Sequence, residues 1–351
     1  MGATDAVRYG VFEGIVQGGC VSDVLRQRAR TAVNIAFLAT LAVFLGVIAG
    51  HQYLGESRDY RYYLWFFRLA RASEGVAQID SRFEVGFRFL IYGLSWLGFG
   101  NVLIYTAICS FCVLLKGVAF RAAEVTWCAA SVFLYFYLTR YFILFEMTVL
   151  RASIAFSIAF FVYFRKRDTK FHWHEFLMLV AAIGFHYSAI VFLIVYFTGR
   201  LNALGVVAFG VIVFLLGFFG KIVLFTWFRS VLPVLQSYPA WKIPSTIVPI
   251  PFMFDIAMVV VALFLWKRSD VAMKYSIVGI VLSVAIHFSM VGYPTIAGRF
   301  RELLSMFILV YVVRATLSED RTLKALAVSF ALFSGALLFY GMLFYEPLLT
   351  P

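Results

Sequence analysis

Several ionisable side chains of this sequence lie inside or at the ends of apolar stretches, where a charge is unfavourable. Such a charge costs several kcal/mol near the centre of a bilayer and usually marks a functional site. Guanidinium groups match phosphate oxygens, whereas carboxylates and imidazoles transfer protons. These residue types are suited to breaking a bond to phosphate while a hydroxyl group attacks. The residues are Glu84, Arg88, Arg140, Glu146, Arg151, His186, His287, Arg299 and Arg301.

Two pairs among these residues also have a purely structural interpretation. Glu84 and Arg88 are four residues apart, so they could form a salt bridge on one helix face. Arg140 and Glu146 could form a second structural pair. The sequence alone leaves both alternatives open.

The remaining candidates differ in how easily a structural role explains them. His186 and His287 could be hydrogen-bonded core residues. Arg151 and Arg299 need an anion, because a guanidinium group stays charged in proteins. Their structural alternative is to reach lipid phosphates at the membrane surface.

Motifs for metal, nucleotide or serine-hydrolase chemistry are absent or weak. Cys109 and Cys112 form a C-x-x-C inside an apolar stretch, where helix packing explains them better than metal binding. Gly220-Lys221 lacks the spacing of a phosphate loop, and no H-E-x-x-H or G-x-S-x-G occurs. We therefore expect no metal and no cofactor.

The elements that position these residues follow from the composition. Of 351 residues, 63% are hydrophobic and only 14% are charged, with a mean hydropathy of +0.92. A soluble domain has roughly 25% charged residues, so this chain cannot cover itself with polar surface. Isolated strands would leave backbone groups unpaired in lipid, and no barrel-like alternation occurs. The sequence predicts an all-α, polytopic integral membrane protein in a lipid bilayer.

The apolar runs predict about 9–11 transmembrane or re-entrant helices within a single transmembrane domain, residues 1–351. The first run is long enough to be an uncleaved membrane anchor. The runs cover approximately residues 31–50, 84–99, 101–118, 125–146, 148–164, 173–199, 203–220, 252–266, 271–292, 300–314 and 322–345.

The net charge of +12 reports orientation rather than nucleic-acid binding. Lys and Arg concentrate in cytoplasmic loops, so the basic segments predict a cytoplasmic N-terminus at residues 1–30. The basic anchors are the N-terminal arginines, Lys116/Arg121, Arg165-Lys166-Arg167, Lys267-Arg268 and Arg314/Arg321/Lys324.

These anchors share one side only if two apolar runs do not cross. We expect 84–99 to enter from outside without crossing, and 173–199 to be a broken, hairpin-like segment around an outward-facing cavity. Residues 51–83 and 221–251 are then periplasmic. The first contains an amphipathic aromatic helix near 60–67, and the second is rich in proline.

This orientation places the candidate charges near the outer ends of their helices. The cytoplasmic halves contain almost nothing comparable. An outward-facing site with arginines, a histidine and carboxylates suits an anionic amphiphile such as a lipid diphosphate.

Five short elements between residues 59 and 301 resemble the EpsG/Wzy family of polysaccharide polymerases. They occur in the family's order, and Ala152 replaces the glutamine that usually follows the arginine. The elements are Asp59-Tyr60-x-Tyr62-Tyr63, Phe83-Glu84-x-Gly86-Phe87, Leu150-Arg151-x-x-Ile154-Ala155, Phe185-His186-Tyr187-Ser188-Ala189 and Gly298-Arg299-Phe300.

The resemblance implies a membrane bundle similar to the glycosyltransferase-C fold in the bacterial inner membrane. It implies an enzyme that joins repeat units carried on undecaprenyl diphosphate at the periplasmic face, for O-antigen, capsule or exopolysaccharide. A chain-length regulator and a flippase of the same pathway are the implied partners.

By analogy, the catalytic residues are Arg151 and Arg299, which hold diphosphate, and His186 or Glu84, which acts as base. Two alternatives stay open: a membrane O-acyltransferase acting on polysaccharide, and a flippase or transporter of lipid-linked sugar. The expected substrate-binding residues are Asp59, Tyr60, Arg88, Arg140, Tyr187 and Arg301.

Overall fold

The apolar runs of the sequence form helices throughout the part of the chain that the structure describes. A computed structural model describes residues 34–79, 82–121, 126–231, 249–345 and 347–350. The predictions for residues 1–30 and for the prolines at 239 and 244 lie outside these residues. The fold is all-α, as predicted.

Six helices are long and apolar enough to cross a membrane. Aspartates cap two of them: Asp270 accepts from the backbone N–H of Met273, and Asp320 accepts from Thr322 and Leu323. The six are α1 (Asn34–His51), α4 (Asn101–Arg121), α5 (Trp127–Thr148), α9 (Ala203–Val231), α11 (Val271–Ser289) and α14 (Arg321–Tyr340).

Shorter helices fill the spaces between the long ones. The second half of α5, Tyr137–Thr148, is π-helical, a form that often marks a functional position. The shorter helices are α2 (Tyr60–Ala72), α3 (Val85–Trp96), α6 (Leu150–Phe164), α7 (Trp173–Phe185), α8 (Ile190–Thr198), α10 (Ile250–Phe264), α12 (Pro294–Leu304) and α13 (Met306–Thr316).

Helix α3 does not cross the bundle, as the charge distribution predicted. Its 12 residues extend about 18 Å, less than the roughly 30 Å of a hydrocarbon core. The C-terminal half of α3 and the residues just after it contact the segment that follows α1. Tyr92 donates to the Glu74 carbonyl at 3.1 Å, and Arg71 donates to the Phe99 carbonyl at 2.7 Å.

Residues 173–199 form the predicted broken hairpin. Helix α7 ends at Phe185, His186 is extended (φ −155°, ψ 111°), and α8 runs back. The hydroxyl of Tyr196, near the end of α8, accepts from the His172 N–H at the start of α7 at 2.8 Å. The hairpin therefore begins and ends on the same side of the bundle, which we call the basic face because Arg165-Lys166-Arg167 lies there.

The chain ends close to the segment that follows α1. Strand β1 (Glu56–Ser57) pairs antiparallel with β2 (Leu349–Thr350), which follows α14. The C-terminal strand therefore lies on the same side as residues 51–79, opposite the basic face.

Two sequence-based expectations are wrong. Lys116, assigned to a cytoplasmic loop, is 1% exposed and lies 2.7 Å from Glu146. The proposed pairing of Arg140 with Glu146 does not form, because Arg140 pairs with Asp255 at 3.0 Å.

The predicted periplasmic segment at 221–251 also begins differently from expectation. Helix α9 continues to Val231 without a break at residue 220. Its residues from 221 onward remain largely apolar, so nothing in the sequence ends the helix there.

Candidate active site

A buried carboxylate lies at the centre of the candidate site. Glu84 is 3% exposed, and each of its two carboxylate oxygens contacts a different residue. One oxygen is 2.5 Å from Nη1 of Arg151, and the other is 3.2 Å from Nδ1 of His186. Three residues from separate parts of the chain thus form one connected group, which we call the Glu84 cluster.

Helix termini bring the three side chains together. Glu84 immediately precedes α3 in an extended conformation, Arg151 is the second residue of α6, and His186 follows the last residue of α7. The extended conformation of His186 turns its ring away from the α7 axis. The break in the hairpin therefore places the imidazole of His186 beside Glu84.

A close backbone approach fixes the distance between α3 and α7. A Cβ added to Gly86 would lie 2.8 Å from the carbonyl oxygen of Gly184, closer than real Cβ atoms come. Glycine at this position lets the start of α3 reach the end of α7. The acidic-x-Gly spacing of Glu84 and Gly86 thus has a physical reason.

The lengths of α6 and α7 set the depth of the Glu84 cluster. Both helices run from the basic face, and with 15 and 13 residues they extend about 20 Å. A hydrocarbon core is about 30 Å thick, so the cluster is recessed about 10 Å from the opposite surface. Electrostatic interactions are strong at such a depth because little water screens them.

Aromatic side chains of α2 and of the loop before α3 surround the arginine. The Arg151 guanidinium lies 4.9 Å from the centre of the Phe83 ring. Phe83 stacks on Phe66 with a centroid distance of 3.6 Å, and Tyr63 is buried beside Arg151. This wall holds the guanidinium plane in place, and Arg151 Nε keeps a hydrogen that finds no acceptor among the described residues.

Two further predicted residues act on the same site through their charge. Burial raises the pKa of Asp59, and the positive charges of Arg299 and Arg151 partly offset that rise. Arg299 lies on α12, and its side chain is exposed. Tyr187 follows His186 and is half-buried. Asp59, Arg151 and Arg299 therefore share one electrostatic environment.

The hydrogen bonds of Glu84 define which imidazole nitrogen is available. Nη1 of Arg151 and Nδ1 of His186 each lie within hydrogen-bond distance of one Glu84 oxygen, and the charge of Arg151 favours the ionised carboxylate. An ionised carboxylate only accepts hydrogen bonds, so Nδ1 of His186 carries the hydrogen. In the neutral ring, Nε2 then has the lone pair that can take a proton.

Arg88 and Tyr60 point away from the Glu84 cluster. Arg88 donates to the Ile79 carbonyl at 3.5 Å, so the alternative of a Glu84–Arg88 salt bridge is not observed. The Tyr60 hydroxyl donates to the Gly50 carbonyl at 2.7 Å and fastens α2 to α1.

Arg140 and Arg301 belong to a second charged group. Arg140 is buried against Asp255 on α10, and Arg301 lies 4.0 Å from Glu302. Arg299 and Arg301 are two residues apart on α12, so they face different sides of that helix. The two arginines therefore serve different environments.

Sequence reasoning missed three residues that matter. Asp255 is a carboxylate inside the apolar segment 250–264, and the argument used for Glu84 could have found it. The buried role of Lys116 was missed because this residue lies near the end of an apolar run, where the sequence predicts a cytoplasmic loop. Tyr63 was quoted in a motif but given no role, and nothing in the sequence distinguishes it from neighbouring aromatic residues.

Lys116 and Glu146 form a buried pair below the Glu84 cluster. Lys116 Nζ also contacts Ser157 Oγ at 2.6 Å, and Glu146 accepts from Ser153 at 2.8 Å. The pair joins α4, the π-helical end of α5 and the first turns of α6. It therefore braces the segment from which Arg151 projects.

Within the described ranges, no three His, Cys, Asp or Glu side chains converge as metal ligands. Cys109 and Cys112 are buried with free thiols, and the Cys109 thiol contacts the Glu146 carbonyl at 3.1 Å. The chemistry available at the Glu84 cluster is therefore that of guanidinium, carboxylate and imidazole groups.

An all-helical bundle with six long apolar helices and a buried arginine–carboxylate–histidine group defines the class: a polytopic membrane protein. The EpsG family model matches residues 35–349, nearly the whole chain. The chain belongs to the EpsG family, a family of Wzy-like polysaccharide polymerases. Comparison with curated proteins and with solved structures gives no match.

Proposed function

We propose that this membrane polymerase joins oligosaccharide repeat units carried on undecaprenyl diphosphate. The growing chain on its lipid carrier is the donor, and the non-reducing end of a new lipid-linked unit is the acceptor. The observation that carries the proposal is Glu84, buried between Arg151 and His186. That arrangement presents both a cation for a diphosphate and a nitrogen base for a hydroxyl group.

Arg151 and Arg299 bind the diphosphate in this proposal. As the acceptor oxygen forms a bond to the anomeric carbon, the bond from that carbon to the diphosphate oxygen breaks. The electron pair goes to the diphosphate, and the two guanidinium groups stabilise the charge that develops there. Glu84 and the Phe83 ring orient Arg151, so little reorganisation is needed when the charge forms.

His186 removes the proton from the attacking hydroxyl group. Nδ1 is occupied by Glu84, and Nε2 is the nitrogen that accepts the proton. Glu84 is a weak base, because Arg151 and His186 already occupy its two oxygens. It acts as a positioning residue that orients the imidazole and stabilises its protonated form, so the choice between His186 and Glu84 falls on His186.

The cellular context extends the proposal. The basic face lies in the cytoplasm by the distribution of Lys and Arg, so the Glu84 cluster opens towards the periplasm of the inner membrane. The lipid-linked glycan arrives there from a flippase, and a chain-length regulator is the second expected partner. The two deeper ion pairs are closed within the bundle, which favours catalysis over transport.

A complementation experiment tests the proposed function. A deletion strain carries the wild-type protein, Arg151→Ala, Arg299→Ala or the control Arg68→Ala, whose side chain is exposed on α2. We expect single-unit surface glycan from the first two variants and long chains from the control, at equal protein levels in the membrane.

Other outcomes separate the alternatives. Unchanged long chains from both site variants would overturn the assignment of the arginines. Lipid-linked units that accumulate on the cytoplasmic face would indicate a flippase. Loss of acyl groups with normal chain length would indicate an acyltransferase.

A further inference from the structure

A cavity of about 890 Å³ lies at the basic face, at the opposite end of α6 from Arg151. The ends of α6 and α13 and the starts of α7 and α11 form its walls. Five cationic side chains line it against three carboxylates. The cations are Arg165, Lys166, Arg167, Lys274 and Arg314, and the carboxylates are Asp168, Glu175 and Asp270.

The three carboxylates are already engaged by neighbouring residues. Asp270 accepts two hydrogen bonds from Arg314 at 2.9 and 2.5 Å. Glu175 is bound by Lys166, and Asp168 lies 3.0 Å from the ring of His172. Since the anions of the wall are used internally, the cavity keeps an excess of positive charge.

Arg165 and Lys274 carry that excess. Within the described ranges neither forms an ion pair, and each lies against an aromatic ring instead. The Arg165 guanidinium is 4.6 Å from the Phe161 ring centre, and Lys274 Nζ is 5.9 Å from that of Trp266. Both groups therefore keep hydrogens for a ligand, and the rings hold them at the cavity wall.

Basic residues whose only role is to set the orientation in the membrane need neither a cavity nor ion pairs between its walls. Here two ion pairs, Lys166–Glu175 and Arg314–Asp270, join separate elements around a space that lies within the size range of small-molecule sites, about 300–1,000 Å³. An apolar floor is formed by Phe161, Val162, Met178 and Val271. The cavity is larger than a simple inorganic anion. A ligand that fills it therefore carries an organic group, which would pack against these apolar residues.

We propose that this cavity binds a phosphate-bearing ligand of nucleotide or lipid-headgroup size. Arg165 and Lys274 contact the phosphate oxygens, and the organic part lies against Phe161 and Met178. The site is separate from the Glu84 cluster and does not depend on the function proposed for that cluster. A soluble nucleotide and a phospholipid headgroup present the same phosphate chemistry, and the experiment distinguishes these sources.

The test uses purified full-length protein in phosphatidylcholine nanodiscs. Arg165→Gln combined with Lys274→Gln removes the two charges from the cavity. Arg321→Gln combined with Lys324→Gln removes two charges from the same face outside the cavity and serves as control. Calorimetric titration with ADP reports the soluble source, and native mass spectrometry after exposure to phosphatidylglycerol reports the headgroup source. Thermal unfolding verifies that both variants are folded.

We expect one of the two probes to bind the wild-type protein and the control equally. The cavity variant should bind that probe at least about tenfold more weakly, because it lacks the two charge-assisted contacts to the phosphate. Binding of ADP supports a nucleotide, and retention of phosphatidylglycerol supports a headgroup. Equal behaviour of wild type, cavity variant and control with both probes overturns the proposal, as does the absence of any binding.

Discussion

At the scale of single residues, the Glu84 cluster assigns different roles to side chains that look equivalent in the sequence. Glu84 holds two partners and is kept ionised, whereas His186 has one nitrogen held and one available. A carboxylate that orients an imidazole is a recurrent arrangement in proton transfer. The pairing of Glu84 with residues 67 and 102 positions away decides these roles.

His186→Gln should reduce the polymerisation rate by about 100-fold or more, because it removes the proposed base. Glu84→Gln should reduce the rate less, because an amide oxygen still accepts from Nδ1 of His186. The rate is measured with purified enzyme and lipid-linked repeat units. His51→Gln, an exposed histidine at the end of α1, serves as the matched control. A larger loss from Glu84→Gln than from His186→Gln would identify Glu84 as the base instead.

At the scale of elements, short and interrupted helices place the site. The turn between α5 and α6 positions Arg151, and the break between α7 and α8 positions His186. The non-crossing helix α3 begins directly after Glu84. Each of these irregular positions needs support from its neighbours. The Lys116–Glu146 pair gives that support to the π-helical end of α5.

Lys116→Met should destabilise the protein by about 3–5 kcal/mol, because it leaves the buried Glu146 without a counter-ion. Lys116→Met combined with Glu146→Leu should recover most of that loss, since no uncompensated charge remains. Chemical denaturation in detergent micelles gives the free energies, and Lys170→Met, at an exposed position, is the control. Equal stability of the single and double variants would show that the pair contributes nothing specific.

At the scale of the whole molecule, the two non-crossing segments determine the orientation of everything else. Because the α3 region and the α7–α8 hairpin each stay on one side of the bundle, the basic loops share one face and the Glu84 cluster lies towards the other. The pairing of β1 with β2 independently brings the chain end to the side opposite the basic face.

Cysteine labelling in intact cells tests this topology. In a background without native cysteines, Gly100→Cys should react with a membrane-impermeant maleimide. Arg200→Cys, beyond the end of α8, should react only after the membrane is permeabilised. Protection of Gly100→Cys would contradict the orientation, and labelling of Arg200→Cys from outside would contradict the hairpin.

The sequence by itself determined the class of fold, the apolar elements and the three residues that form the Glu84 cluster. A hydrophobic chain in lipid has few options besides helices, and a charge in an apolar run has to be explained. The positions of Glu84, Arg151 and His186 could therefore be found without coordinates. The family was likewise evident from short motifs, and the match over residues 35–349 confirms it.

Only the tertiary structure decided which charges are partners. Arg140 could have paired with the nearby Glu146, but Asp255, 115 residues away, lies closer in space. Its position at the edge of an apolar run predicts that Lys116 lies in a cytoplasmic loop. In the structure Lys116 lies on α4 inside the bundle, against Glu146. Local sequence fixes what a side chain can do, whereas the packing of distant helices fixes which partner it meets, because ion pairs form only over a few ångströms.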